Sequence, residues 1–150
     1  MAHTYTSQLL HCVFSTKNRL PLLNKDIRPR LHAYLGGIAR EHGMKALAVG
    51  GVEDHVHVLL SCKAAIALSK AMQLIKGGSS LWLHETFPQL AHFAWQEGYG
   101  AFSIGISQTD DTVAYIERQE EHHRKLSYQD EFRAILRKHG IEWDEKYIWG

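Results

Sequence analysis

The stretch that decides the fold is Glu53-Asp54-His55-Val56-His57-Val58-Leu59-Leu60. Its second half alternates and is rich in β-branched and aliphatic residues, which predicts a β-strand. Successive side chains of a strand point to opposite faces of the sheet, so His55 and His57 share one face and the two valines share the other. Two neighbouring imidazoles on a rigid surface can form half of a divalent-metal site. Taken alone, the pair could equally be two hydrogen-bonded histidines near a sheet edge.

Length and composition indicate one globular domain over residues 1–150. The chain has 150 residues, 45% hydrophobic and 22% charged, which is enough to bury a single core. No run approaches the roughly 18 apolar residues of a membrane span, and the N-terminus lacks a signal-peptide pattern, so we expect a cytoplasmic protein without membrane association. Cys12 and Cys62 each lie in an apolar run, which favours reduced core thiols over a disulfide framework or a zinc site.

The formal net charge of +1 conceals an uneven distribution. Residues 1–50 carry seven lysines or arginines against two acidic residues, a balance of +5, whereas residues 101–150 carry seven against ten, a balance of −3. A basic end allows a surface that binds a polyanion such as nucleic acid, but solvated helix faces explain such charges equally well.

Before the histidine strand, the chain predicts two strands and a helix. These are a strand over 6–16, a helix over 24–42 and a strand over 44–52 that forms a hairpin with the histidine strand. Gly50-Gly51 indicates either a bulge or a close approach of another backbone segment.

The middle of the chain predicts two helices, over 65–76 and 79–87, separated by Gly77-Gly78, and then two short strands within 93–107. The resulting order β-α-β-β-α-β-β predicts a mainly antiparallel sheet with helices packed on one side. The first of these helices carries a polar stripe that could follow a nucleic-acid backbone or could be a solvated face. The stripe consists of Ser69, Gln73 and Lys76.

Two further helices and an aromatic tail are predicted at the C-terminal end. The first covers 112–119 and follows a capping aspartate at position 110 or 111. Ser127-Tyr128-Gln129-Asp130 resembles a capping box and predicts a final helix that ends at Gly140. The aromatic residues of the tail are expected to pack against the protein, because water would contact them unfavourably. They are Trp143, Tyr147 and Trp149.

Tyr115 and Gln119 are four residues apart in the predicted helix over 112–119 and therefore lie on one face. A tyrosine hydroxyl, with an ordinary pKa of about 10, is a poor nucleophile without a cation or base nearby. A metal ion at the two histidines would orient a phosphate group for attack, and a glutamine carbonyl could complete its coordination. Alone, a Tyr-x-x-x-Gln pattern is a weak signal, because most helical tyrosines pack or form hydrogen bonds.

Four motifs together resemble the single-tyrosine HUH transposases of the insertion-sequence-200-like family. They appear in the family's order and extend over nearly the whole chain to about residue 125. They are Val13-Phe14-Ser15-Thr16-Lys17, Asp54-His55-Val56-His57-Val58-Leu59-Leu60, Leu74-Ile75-Lys76-Gly77-Gly78-Ser79-Ser80 and Tyr115-Ile116-x-x-Gln119. Residues 126–150 match no motif of this kind, so the role of the final helix and tail stays open.

The resemblance implies an α+β fold with a ferredoxin-like or RRM-like antiparallel sheet and helices mainly on one face. It implies a Mg²⁺ or Mn²⁺ ion held by His55, His57 and Gln119, with Tyr115 as the nucleophile. It also implies an obligate homodimer and a substrate of single-stranded DNA with hairpin ends. A possible hinge at 105–109 precedes the tyrosine helix, so the tyrosine could act in its own subunit or in its partner.

The function implied by the resemblance is DNA transposition. The protein would cleave and rejoin single-stranded DNA at the ends of a mobile element through a 5′-phosphotyrosine intermediate. One alternative is a catalytically idle or domesticated single-stranded nucleic-acid-binding protein on the same fold. A cupin-like metalloenzyme is a second alternative, but it would need a Glu and a third His on neighbouring strands, where the sequence offers none.

His122 competes with Gln119 as the third metal ligand, because a continuous helix would place both within about 60° of Tyr115. Imidazole suits Mn²⁺ better than an amide does, but a ligand so far along the helix would draw Tyr115 away from the phosphate. We therefore predict that Gln119 is the ligand and that His122 contacts DNA or the ligands. The other predicted DNA contacts are Lys17, Arg19, Ser69, Gln73 and Lys76.

Overall fold

A four-stranded antiparallel sheet, in the order β2-β3-β1-β4, forms the centre of the computed structural model, which describes residues 3–150. The strands are β1 (Leu9–Ser15), β2 (Lys45–Val52), β3 (His55–Ser61) and β4 (Gly100–Ile104). The helices are α1 (Arg28–Glu41), α2 (Leu68–Thr86), α3 (Thr109–Glu117), α4 (Gln119–His122) and α5 (Tyr128–Lys138). The α+β fold class is confirmed, and so is the hairpin between β2 and β3. Within the described residues, no helix is long and apolar enough to cross a membrane.

The histidine strand β3 lies inside the sheet, between β1 and β2. His57 is opposite Val13 of β1 and Gly50 of β2, and both histidine side chains are completely buried. A strand that is hydrogen-bonded on both sides gives its side chains a fixed position. The sheet therefore provides a rigid base for the two imidazoles.

The main hydrophobic core lies on the valine face of β3. Val56 and Val58 pack there with Phe14 of β1 and with the buried sides of α1 and α2. Both cysteines also belong to this core and are free thiols, as predicted. The two longest helices thus lie on one face of the sheet, as the element order predicts.

The histidine face of the sheet is covered by α3 and α5. Ile116 of α3 packs on Leu59, and Phe132 of α5 packs on Val13 and Phe102. The expectation that helices lie mainly on one face therefore applies to α1 and α2 only. The last quarter of the chain supplies the cover of the second face, because the apolar stripe of α5 needs a surface on which to be buried.

Two predicted element boundaries differ from the structure. The helix that was expected to end before Gly77-Gly78 continues through it as α2, because the buried series Ile75, Ser79 and Leu83 keeps its four-residue spacing. Of the two strands expected within 93–107, only β4 forms. The preceding segment makes a single bridge between Trp95 and Thr16.

Two smaller predictions concern Gly50-Gly51 in β2 and the aromatic residues of the C-terminal tail. The irregularity of β2 lies between Ala46 and Ala48, whereas Gly50 is the site of a close approach by the Ile116 backbone. In the C-terminal tail, Trp143 and Trp149 pack against the α5 cluster. Tyr147 is 70% exposed, so the prediction that all three aromatics are packed is wrong for this residue.

Candidate functional site: a histidine and glutamate centre beside Tyr115

His55 and His57 are each held by a second polar side chain through the Nδ1 atom. Nδ1 of His55 lies 2.7 Å from Oδ1 of Asp54, and Nδ1 of His57 lies 2.8 Å from Nε2 of His11. His11 reaches this position because it alternates with Phe14 across the faces of β1. Hydrogen bonds of this kind fix the orientation of a metal-binding imidazole and leave its other nitrogen free. The two Nε2 atoms therefore point away from the sheet.

Glu131 of α5 lies against these Nε2 atoms, and it is 1% exposed. Its Oε1 atom is 2.9 Å from Nε2 of His57, 3.2 Å from Nε2 of His55 and 3.1 Å from Nε2 of His123. His123 follows α4 directly and is held through its own Nδ1 by the Leu126 carbonyl. Three imidazoles and one carboxylate thus meet at a single buried point.

The second carboxylate oxygen of Glu131 faces the tyrosine helix. The Tyr115 hydroxyl and the Gln119 amide, which is 3.0 Å away, both donate hydrogen bonds to Oε2. The Gln119 carbonyl oxygen lies 3.1 Å from Nε2 of His55. Tyr115 also places its ring 5.8 Å from that of His57, so the predicted nucleophile lies beside the histidines of its own chain.

Burial and charge keep Tyr115 protonated in this arrangement. Burial raises the pKa of the Tyr115 hydroxyl, and the negative charge of Glu131 raises it further. Burial by itself would raise the pKa of Glu131, but hydrogen bonds with His123, His55 and His57 hold it well below its usual range. The site therefore contains a neutral tyrosine and an ionised carboxylate.

The histidines differ in protonation for identifiable reasons. Burial lowers the pKa of His57 to about 4, which leaves this imidazole neutral at pH 7. Burial also acts against the charge of His55, but hydrogen bonds with Asp54 and Glu131 raise the pKa of this residue to about 9. A neutral imidazole is the form that binds metal ions, so His57 is prepared for ligation and His55 must release a proton.

The donor set fits a divalent metal ion. The ligand atoms of His55, His57, His123 and Glu131 all lie within 4.8 Å of one another. Imidazole nitrogen and carboxylate oxygen are common ligands of divalent transition metals in proteins. The predicted ligands His55 and His57 therefore fit a metal ion, and the structure adds two donors that the sequence did not predict, His123 and Glu131.

His123 replaces His122 in the cluster because the tyrosine helix is interrupted. Arg118 has φ −101° and ψ 20°, which ends α3 and lets α4 begin in a different direction. His122 packs against the Tyr115 ring, with ring centroids 4.6 Å apart, while His123 turns toward the centre. The sequence predicts Gln119 as the third ligand and weighs only His122 against it, because a continuous helix would turn His123 away from the centre.

One feature of the sequence indicates that Glu131 is buried. In α5 the buried residues Tyr128, Phe132 and Leu136 recur every four positions, and Glu131 lies on the same side of the helix. A carboxylate on the apolar stripe of a helix is rarely buried without a partner. This exception could have marked α5 as part of a polar site.

The predicted DNA contacts do not gather around this centre. Ser69, Gln73 and Lys76 lie on α2, which packs on the valine face of the sheet. The Lys76 ammonium donates hydrogen bonds to the carbonyls of Gln96 and Gly98, so it has a structural partner. Two residues of the loop after β1 differ in exposure: Lys17 is exposed, and Arg19 contacts the Trp149 ring and carbonyl.

A substitution at Gly50 is expected to disturb the tyrosine without touching it. A Cβ atom at Gly50 would lie less than 3.0 Å from the Ile116 carbonyl, so Gly50→Ala must push α3 away from β2. Overpacking of this kind costs about 1–3 kcal/mol. A displacement of Tyr115 by about 1 Å is expected to slow strand cleavage roughly 100-fold. Thermal unfolding and a cleavage assay measure the two effects.

Gly77→Ala is the matched control for this change. Gly77 lies in α2 with no neighbouring atom within 4 Å of an added Cβ, so alanine is accommodated. We expect its unfolding temperature and cleavage rate to equal or exceed those of the original chain. Wild-type cleavage by Gly50→Ala would show that the contact between β2 and α3 does not position Tyr115.

Comparisons with known proteins agree with this architecture. The family model described as "Transposase IS200 like" matches residues 4–119. The ISDra2 transposase TnpA of Deinococcus radiodurans is 26% identical over 121 residues, covering 77% of this chain and 86% of the relative. The transposase for insertion sequence element IS200 of Salmonella typhimurium is 28% identical over 124 residues, covering 79% of this chain and 81% of the relative.

Two solved structures share the fold. One, described as a candidate transposase from Deinococcus radiodurans, has a TM-score of 0.65 at 23% identity, covering 79% of this chain and 96% of that chain. The other is a REP-associated tyrosine transposase bound to a REP hairpin, with a TM-score of 0.60 at 16% identity, covering 82% of this chain and 73% of that chain. The family match extends from β1 to the glutamine beside the tyrosine, and the chain belongs to the IS200-like transposase family.

Proposed function

We propose that this transposase cleaves and rejoins single-stranded DNA through a covalent bond to Tyr115. The observation that carries the proposal is the position of the Tyr115 hydroxyl, which is bonded to the carboxylate that also contacts His55 and His57. A nucleophile and a set of metal-binding side chains thus share one buried centre. Metal-assisted phosphoryl transfer by a tyrosine can use this arrangement.

In the first step, the Tyr115 oxygen attacks a backbone phosphorus and the bond from phosphorus to the 3′-oxygen breaks. The products are a 5′-phosphotyrosine and a 3′-hydroxyl, and the tyrosine proton is transferred in net terms to the leaving 3′-oxygen. In the second step, a 3′-hydroxyl of another strand attacks the phosphorus and the bond from phosphorus to the Tyr115 oxygen breaks. This restores a phosphodiester, and the proton of the attacking hydroxyl is transferred in net terms to Tyr115. The energy of the phosphoester bond is kept in the adduct, so the reaction needs no nucleotide cofactor.

A Mg²⁺ or Mn²⁺ ion at this centre would polarise a non-bridging phosphate oxygen and orient the phosphate for in-line attack. His55 and His57 would hold the ion, and Gln119 is the third ligand that the sequence predicts. The chain itself contributes the orientation of Tyr115, which is held at its hydroxyl by Glu131. The sheet and the covering helices keep the ligand atoms buried, which strengthens electrostatic interactions in the site.

The proposed substrate is single-stranded DNA with a hairpin near its end. The structural relative bound to a REP hairpin supports this choice of substrate. A cavity of about 390 Å³ borders Gln119 and is lined in part by Lys25, Arg28 and His32. Glu117 and Glu120 line the same cavity, and Glu120 pairs with Arg28, so the cavity is close to neutral and does not by itself indicate a phosphate site.

An adduct assay with a hairpin-bearing oligonucleotide and Mn²⁺ tests the proposal. We expect a protein–DNA adduct that resists denaturation, together with a released fragment that ends in a 3′-hydroxyl. Peptide mapping should place the DNA on Tyr115. Hairpin binding without an adduct would instead identify the protein as a single-stranded nucleic-acid-binding protein on the transposase fold.

We also propose that the protein forms a homodimer in which each tyrosine serves its own subunit. The two outer strands, β2 and β4, each have one edge unpaired within the sheet, which offers a surface for a second copy. Light scattering at micromolar concentration should give twice the mass of one chain. A monomer at that concentration would contradict the dimer.

Mixing two inactive variants tests the second part of this proposal. Tyr115→Phe chains keep the histidines, and His57→Ala chains keep the tyrosine. If each tyrosine acts in its own subunit, heterodimers of the two variants stay inactive. Recovery of adduct formation in the mixture would show that the tyrosine reaches the partner's histidines.

A further inference from the structure

We propose that His123 and Glu131 are metal ligands together with His55 and His57, so that the segment after the family match completes the centre. This inference rests on the proposed function, because it concerns the ion that would serve the cleavage reaction. It gives residues 126–150 a role that the sequence motifs leave open. It also takes Gln119 out of the ligand set and gives it a positioning role.

The distances around Glu131 support four protein ligands. Its Oε1 atom lies 2.9, 3.1 and 3.2 Å from the Nε2 atoms of His57, His123 and His55. Adjacent ligands of a divalent ion with bonds of about 2.1 Å are separated by about 3 Å in octahedral geometry. Oε1 therefore lies at ligand spacing from each of the three imidazoles, and all four ligand atoms lie within 4.8 Å of one another.

The orientations of the three imidazoles also support a shared metal ion. Each of the three histidines uses Nδ1 for a contact outside the cluster: His55 with Asp54, His57 with His11, and His123 with the Leu126 carbonyl. Each therefore directs Nε2 toward the same point. Hydrogen bonds to Oε1 of Glu131 use this common orientation in the structure, and a metal centre requires the same one.

Gln119 has weaker geometry for a ligand. Its carbonyl oxygen contacts Nε2 of His55 alone, and its amide donates to Oε2 of Glu131. A carboxylate carries the negative charge that favours a divalent cation, whereas an amide oxygen is neutral. We therefore assign Gln119 to holding the Glu131 carboxylate in place, between the metal ligands and Tyr115.

The ligand set has a consequence for the choice of metal. Three imidazole nitrogens and one carboxylate suit Mn²⁺ and the later first-row metals, whereas Mg²⁺ prefers oxygen ligands and retains its waters. We expect Mn²⁺ to bind at least tenfold more tightly than Mg²⁺ in the absence of DNA. Equal affinities would contradict a centre with three imidazoles.

Calorimetry with Mn²⁺ tests the two added ligands against matched controls. His123→Ala and Glu131→Gln are each expected to weaken Mn²⁺ binding at least 100-fold, because loss of a supporting residue outside the ligand set already costs 10–100-fold. His92→Ala and Asp130→Asn change exposed residues of the same chemical types outside the ligand set and should leave the affinity within about twofold. Gln119→Ala should cost about tenfold, because it removes only the support of Glu131.

Pulsed electron paramagnetic resonance of bound Mn²⁺ gives a second measurement, which counts the imidazole ligands directly. We expect coupling to three imidazole nitrogens, and to two in His123→Ala. Two imidazoles in the unaltered chain would overturn the assignment of His123. Unchanged or tighter Mn²⁺ binding by Glu131→Gln would overturn that of Glu131 and show that this carboxylate competes with the ion for the histidines. Neither measurement contains DNA, so a failure of the cleavage proposal leaves these results unaffected.

Discussion

Tyr115→Phe is expected to abolish the covalent DNA adduct while hairpin binding stays within about twofold. The substitution removes the one oxygen that can form the phosphotyrosine bond. It also removes the hydrogen bond to Glu131, but Oε2 of this residue keeps the Gln119 amide as a donor. The loss of one such bond costs about 1 kcal/mol of folding stability, so the variant should fold. Denaturing electrophoresis measures the adduct, and fluorescence anisotropy measures hairpin binding.

Tyr99 and Tyr128 provide the controls for this experiment. Tyr99 is partly exposed, and Tyr99→Phe should form the adduct at the original rate. Tyr128 lies near His55, with ring centroids 4.7 Å apart, but its hydroxyl donates to Oε1 of the Gln96 side chain and not to the Glu131 carboxylate. An adduct that survives in Tyr115→Phe and disappears in Tyr128→Phe would move the nucleophile from α3 to α5.

His55→Ala and His57→Ala are each expected to eliminate cleavage and to weaken Mn²⁺ binding by at least 100-fold. Both side chains are completely buried and contact Glu131 through Nε2, so each removal takes away a ligand atom and leaves a cavity. The valine face of β3 and its main core are unchanged. The sheet should therefore still form, which circular dichroism can verify before the metal titration.

His92→Ala is the matched control, because His92 is exposed and lies outside the cluster. It should retain the original Mn²⁺ affinity and cleavage rate. If both His55→Ala and His57→Ala bound Mn²⁺ as tightly as the original chain, the metal centre would have to lie elsewhere. If either alanine variant lost the sheet, the titration would be repeated with glutamine at the same position. Glutamine fills the space but has no imidazole.

The sequence alone was enough to place the histidine strand, its hairpin and the fold class. The two-residue alternation of a strand shows directly which side chains share a face. The short turn at Glu53-Asp54 closes the hairpin. The spacing of Tyr115 and Gln119 likewise predicted that both lie on one helix face, and in the structure both side chains on this face contact Glu131. These features depend on residues that are neighbours in the chain, so a pattern in the sequence is sufficient to predict them.

The tertiary structure decided which other side chains join the centre. His11 reaches His57 through the pairing of β1 with β3, and Glu131 reaches it from 74 residues away. His123 enters in place of His122 because the chain leaves helical geometry at Arg118. A break of one residue changes the direction of all side chains that follow it in the helix. Packing of α5 on the sheet determines the position of the Glu131 carboxylate. The apolar stripe of α5 indicates that Glu131 is buried, but its partners follow from burial of distant surfaces, and no local period in the sequence encodes them.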